Sequence, residues 1–239
     1  DDILAHPDTP TGHNIGLTTE WLDNHRHVFY DQKYGHLRDR NQRHSHANHT
    51  IGVATELDAS EYYDADTTDT AMGFCYYNNV AVGVAHALAA HGLERAAVLD
   101  FDVHHGNGTD VIFAEDPRVR VCSVFQRELY PFGNHQSHSG LGVDAPLPAG
   151  AGGAEMKAAV ESILLPALDD FRPQLLFVSA GFDGHAADDI SQLRLLDEDY
   201  DWLTRQALAV AGKHCGGRLV STLEGGYELG SLARCATRH

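Results

Sequence analysis

A chain of 239 residues, 43% hydrophobic and 21% charged, has the length and make-up of a globular protein with room for a sizeable core, most simply one large domain. Its formal net charge of −17 argues against direct binding to nucleic acid and favours cationic ligands, with most of that charge read as solvated surface. No apolar run reaches the length of a membrane span, and the start Asp1-Asp2-Ile3-Leu4 has neither the basic nor the apolar part of a signal peptide. Four cysteines without a CxxC pair do not make a disulfide framework, so a cytoplasmic setting with no membrane partner is expected; oligomeric state is left open.

Residues 1–72 hold eight of the 17 histidines (His6, His13, His25, His27, His36, His44, His46 and His49) among polar residues of weak periodicity. Such a stretch can bind metal, although scattered surface histidines are the commoner explanation. From Gly73 onward, helical and strand patterns alternate across short glycine-rich turns, the pattern of an open, mostly parallel α/β sheet with helices on both faces. Helices are expected over Asn78–His91, Thr109–Glu115, Ala154–Phe171, Asp197–His214 and Leu229–Thr237, with Pro166 bending or ending the third. Strands are expected over Ala96–Leu99, Val119–Val124, Leu175–Ala180 and Arg218–Leu223, and an irregular loop over Leu129–Gly153.

Three strands run out into polar groups. Ala96–Leu99 leads to Asp100-Phe101-Asp102-Val103-His104-His105-Gly106-Asn107-Gly108-Thr109, Leu175–Ala180 to Gly181-Phe182-Asp183, and Arg218–Leu223 to Glu224-Gly225-Gly226-Tyr227. Asp102 and His104, two apart, share one side of an extended backbone, and a carboxylate beside an imidazole suits a divalent cation at the carboxyl end of an α/β sheet. The bland alternative is that they cap the next helix and pair with each other. His105, pointing the other way, reads as a structural histidine, Tyr227 alone as a core or rim residue, and Phe74 alone as a core residue.

The four segments Ala71-Met72-Gly73-Phe74-Cys75-Tyr76-Tyr77-Asn78-Asn79, Asp100 to Thr109, Ser179-Ala180-Gly181-Phe182-Asp183 and Leu223-Glu224-Gly225-Gly226-Tyr227, in that order and spacing, resemble the histone deacetylase family, including its bacterial class II-like deacetylases and acetylpolyamine amidohydrolases. The likeness covers residues 73–239 well and residues 1–72 poorly, with 1–239 taken as a single domain. It implies the arginase/deacetylase type of open sheet and zinc-dependent hydrolysis of the acyl-amide of acetyl-lysine or an acetylated polyamine. Carried over residue by residue, it implies zinc ligands Asp102, His104 and Asp183, leaving positions for water and substrate. Tyr227 becomes the catalytic hydrogen-bond donor to the developing oxyanion. Gly73, Phe74 and Tyr130 become substrate-binding residues of a narrow acyl-lysine tunnel. Asp100, Asp102, His104 and Ser123 resemble the family's buried site for a monovalent cation, usually potassium.

One family element is missing from its place. The Gly-His-His pair that performs acid–base work should lie about ten residues before Gly73, where this chain has Tyr63-Asp64-Ala65. Either a block is absent and hydrolysis is slow, since such groups supply about 10²–10⁴-fold in rate, or a histidine such as His44, His46 or His49 reaches the site from elsewhere. Two alternatives therefore stand beside the deacetylase reading. One is a zinc-holding relative that binds acyl-lysine without turning it over. The other, less favoured, is an arginase-like ureohydrolase, which would need further aspartates where Asn107 and His185 stand.

Overall fold

The computed structural model describes residues 73–75, 77–132 and 141–239. The chain divides into two compact units, Asp1–Asn79 and Val80–His239. Of the first, the described residues include Gly73 and Phe74, both in the left-handed backbone region at φ 58° and 61°.

The second unit is built on five parallel strands: β1 (Ala96–Asp100), β2 (Val119–Gln126), β3 (Val143–Leu147), β4 (Leu175–Ala180) and β5 (Leu219–Leu223), in the spatial order β3-β2-β1-β4-β5. The helices are α1 (Asn79–Ala90), α2 (Asn107–Ile112), α3 (Gly153–Ala159), α4 (Leu165–Phe171), α5 (Asp197–His214) and α6 (Leu229–Arg238). β1 is central and buried at every residue, which is why its sequence is uniformly apolar until Asp100. Successive side chains of β1 part to opposite faces. Ala97 and Leu99 join Met156, Leu164, Leu168, Leu203 and Ala207 on one side, and Ala96 and Val98 join Val80, Val84, Ala87 and Leu88 of α1 on the other. This is the expected arginase/deacetylase-type architecture, with helices over both faces. Parallel pairing brings all strand ends to the same edge, with Asp100 facing Ser123 of β2 and Ser179 of β4 in register.

Two expectations need correction. The stretch Leu129–Gly153 contains β3, an edge strand on β2 whose Asp144 and Pro146 break the apolar pattern. Proline is tolerated there because an edge strand need not donate on its open side. Of the two outcomes expected of Pro166, the ending of its helix does not occur. A five-residue π segment, Val160–Leu164, joins α3 to α4, whose second residue is Pro166, and the helical path continues to Arg172, whose left-handed φ of 51° stops it. Among the described residues no helix is long and apolar enough to cross a membrane, and Cys122, Cys215 and Cys235 are free thiols.

Candidate metal centre

β1 ends at Asp100, and the chain beyond it bends instead of remaining extended. The aspartates cause the bend. Asp100 Oδ1 accepts the Asp102 N–H at 3.0 Å and Asp102 Oδ1 accepts the His104 N–H at 2.8 Å, two successive side-chain turns of the kind Asp forms locally. Asp102 and His104 therefore meet, as the sequence suggests, through turn chemistry rather than strand alternation.

From β4, Gly181 and Phe182 carry the chain to Asp183, which is fully buried and accepts the Val103 N–H on Oδ1 at 3.0 Å. His104 Nδ1 lies 3.0 Å from Asp102 Oδ1 and 3.2 Å from Asp183 Oδ2. One ligand atom from each of Asp102, His104 and Asp183 falls within 4.8 Å of the others. Asp183 Oδ2 is buried without a hydrogen bond of sound geometry. An orphaned carboxylate oxygen beside a second carboxylate and an imidazole fits a divalent cation, which would satisfy it at once.

The β5 end closes the other side. The Gly225 N–H donates to Asp102 Oδ2 at 2.8 Å, and the Gly225 carbonyl accepts the Phe182 N–H at 2.8 Å. A Cβ on Gly225 would run into the Asp183 carboxyl and stand 2.7 Å from Asp102 Oδ2, so glycine is required here by close approach. Gly225→Ala is expected to weaken divalent-cation binding by about 10–100-fold, the usual cost of disturbing a metal's supporting shell, with bound metal measured by equilibrium dialysis.

Electrostatics concentrate at this edge. Burial opposes charge on His104, but its hydrogen bond to Asp102 and the nearby Asp183 carboxylate prevail and raise its pKa to about 10. Burial first, then the Asp102 charge, raises Asp183. Burial, then Asp102 and Glu224, pushes Asp100 well above the ordinary carboxylate range. Glu224 presents surface to solvent, yet its carboxyl bonds Ser179, and burial followed by the Asp102 charge lifts it to about 7. Carboxylates held this reluctantly form a site in need of positive charge. A cation must displace the His104 proton to take Nδ1, so divalent-cation affinity is expected to rise with pH through the neutral range. Calorimetry in buffers of different ionisation enthalpy should detect the released proton.

Asp100 and Ser123, expected beside a monovalent cation, face each other across β1 and β2; Ser123 Oγ is buried without a hydrogen bond. The Tyr130 ring lies edge-on, 6.1 Å from the ring of His104, at a cis Tyr130-Pro131 bond. His105 is buried against Phe125 and bonds Asp144 at 3.3 Å, a structural role. Tyr227 stands two residues beyond Gly225 and is 48% exposed, so it is a surface-reaching side chain rather than a core one. Gly73 and Phe74 belong to the other unit, and His44, His46, His49 and the segment Tyr63-Asp64-Ala65 lie outside the described residues.

Sequence reading gave no role to Glu224, His185 or Asp188. His185 Nε2 meets Asp197 Oδ1 at 3.0 Å, with Cys235 Sγ close by, and these three could also surround an ion. That cluster is already satisfied. Ala187 N–H donates to His185 Nδ1, which leaves the proton on Nε2 facing Asp197, and Arg234 supplies the positive charge at 2.9 Å.

A model of the histone deacetylase domain matches residues 65–239. The chain belongs to the histone deacetylase family. It is 43% identical over 163 residues to a probable deacetylase of Archaeoglobus fulgidus, covering 66% of this chain and 45% of that protein. It is 40% identical over 174 residues to a histone deacetylase-like amidohydrolase of Pseudomonas aeruginosa, covering 70% and 46%. It is 41% identical over 175 residues to the human polyamine deacetylase HDAC10, covering 68% and 26%. The crystal structure of the HDA15 HD domain superposes with a TM-score of 0.64 at 33% identity, covering 71% of this chain and 50% of that one. Each alignment thus spans half or less of the histone deacetylase relative that it matches.

Proposed function

We propose that this chain carries the metal centre of a zinc-dependent amidohydrolase that removes an acyl group from an amine, the substrate being acetyl-lysine or an acetylated polyamine. The observation that carries this reading is the convergence of Asp102, His104 and Asp183 from the ends of β1 and β4, with Asp183 Oδ2 buried, 3.2 Å from His104 Nδ1 and without a hydrogen bond of sound geometry. Zinc, when bound, would polarise the amide carbonyl and acidify a water. The chain's residues supply the rest. Asp102 and Asp183 balance the charge of the site, and His104 gives it a neutral nitrogen once its proton has left. Tyr227 donates its hydroxyl to the carbonyl oxygen as negative charge develops there. Tyr130, beside His104, flanks the acyl chain. Asp100, Ser123 and the backbone around Asp102 and His104 hold a monovalent cation, potassium by the family resemblance, which would satisfy Ser123 Oγ and offset the buried Asp100 carboxyl.

The sequence offers His44, His46 and His49 as candidates for the acid–base group, and all three lie outside the described residues. The sequence Tyr63-Asp64-Ala65 at the usual place of the dyad favours a second reading, a zinc-holding module that grips an acylated amine without hydrolysing it. Metal analysis combined with turnover of an acetyl-lysine peptide and an acetylated polyamine separates the two. Stoichiometric zinc with turnover supports the enzyme; zinc with ligand binding and no turnover supports the module; a protein that retains no zinc contradicts both.

A further inference from the structure

We propose that Asp188 is the positioning residue for Tyr227, clamping the turn after β5 to the loop after β4. This rests on the reading of Tyr227 as the oxyanion donor. Asp188 is 5% exposed and 39 residues from Tyr227 in sequence. Its Oδ2 accepts two consecutive backbone N–H groups, Tyr227 at 2.6 Å and Glu228 at 3.0 Å. Its Oδ1 accepts the N–H of Ile190 at 3.1 Å, and its own N–H donates to the His185 carbonyl at 2.9 Å. Both carboxylate oxygens are thus used on backbone, in charge-assisted bonds roughly twice as strong as neutral ones.

The clamp is needed because of Gly226. Its φ of 138° lies where only glycine is comfortable, so the residue that frees the turn to approach Asp102 also leaves Tyr227 on a pliable link. Two tethers remove that freedom: Asp102 holds Gly225 at one end of the turn, and Asp188 holds Tyr227 and Glu228 at the other. Asp183 and Asp188 share one loop, so the placement of Tyr227 relative to the metal ligands is set within six residues. That loop is braced from behind by His185 on Asp197 at the start of α5, and by Arg234 of α6 on the same carboxylate. A hydroxyl that must meet an oxyanion loses effect steeply when displaced, by about 10²-fold for an error near 1 Å.

The test is a double-mutant cycle on the zinc-loaded full chain with an acetyl-lysine peptide, joined to amide hydrogen exchange. Asp188→Ala is expected to lower kcat by about 10–100-fold with KM and zinc content unchanged. Asp188→Asn, which keeps an oxygen for the two N–H groups, should recover much of the loss. In a Tyr227→Phe background Asp188→Ala should cost less than about twofold, because the hydroxyl it places is gone. Equal losses in both backgrounds would overturn the clamp while leaving the role of Tyr227 intact. Full activity of Tyr227→Phe would overturn the oxyanion reading and the clamp with it. Independently of turnover, the Tyr227 and Glu228 amides should exchange slowly in the wild type and faster in Asp188→Ala, while the amides of β5 stay protected. Equally fast exchange of those two amides in both proteins would overturn the proposal.

Discussion

Asp183→Asn is expected to abolish stoichiometric zinc binding and to lower any deacetylase turnover on the order of 10³-fold, the loss of several kcal/mol of charge stabilisation at the carbonyl. The variant retains an oxygen for the Val103 N–H and nearly the same shape, so the backbone at the end of β1 has no reason to move. Stability separates a ligand from a structural carboxylate. Burial raises the pKa of Asp183, so its charge costs stability at every pH above its unfolded value, and the cost diminishes as pH falls through the raised folded value. Metal-free Asp183→Asn should therefore be no less stable than metal-free wild type at pH 7, as measured by urea unfolding. A structural aspartate would give the opposite result.

Tyr227→Phe is the second large effect. Removing one oxyanion donor typically costs about 10²–10³-fold in kcat. Zinc content should be unchanged, since the backbone of the turn, rather than the phenol, is what bonds Asp102 and Asp188. KM should change little, because the hydrogen bond strengthens only as charge develops on the oxygen. Steady-state kinetics with metal analysis on one preparation checks all three. A variant that loses zinc would place Tyr227 among the supports of the metal site instead.

The fold was legible where packing and periodicity coincide. β1 and β4 are buried on both faces and read as short apolar runs, and α5 carries its apolar stripe across the full 18 residues expected for it. β3 was not legible, because an edge strand exposed on one side tolerates Asp144 and Pro146, the residues that mark a loop elsewhere. Nor did composition show that a π segment lets the helical path pass Pro166. At the site, residue type and spacing after β1 suggested Asp102 and His104, with a helix-capping pair as the alternative, and the family resemblance completed the ligand set with Asp183. Asp188 escaped because the partners that matter to Tyr227 are backbone N–H groups 39 and 40 residues away, which leave no trace in the sequence around it. Glu224 was visible in its motif, but its raised pKa depends on burial and on the neighbouring Asp102 charge, both products of the assembled sheet edge.

The most direct measurement is an anomalous difference map from crystals grown with zinc, with data collected on both sides of the zinc absorption edge. The account predicts a peak about 2.0–2.2 Å from His104 Nδ1 and from one oxygen each of Asp102 and Asp183. A peak at His185, Asp197 and Cys235 instead, or no peak between the ends of β1 and β4, would contradict it.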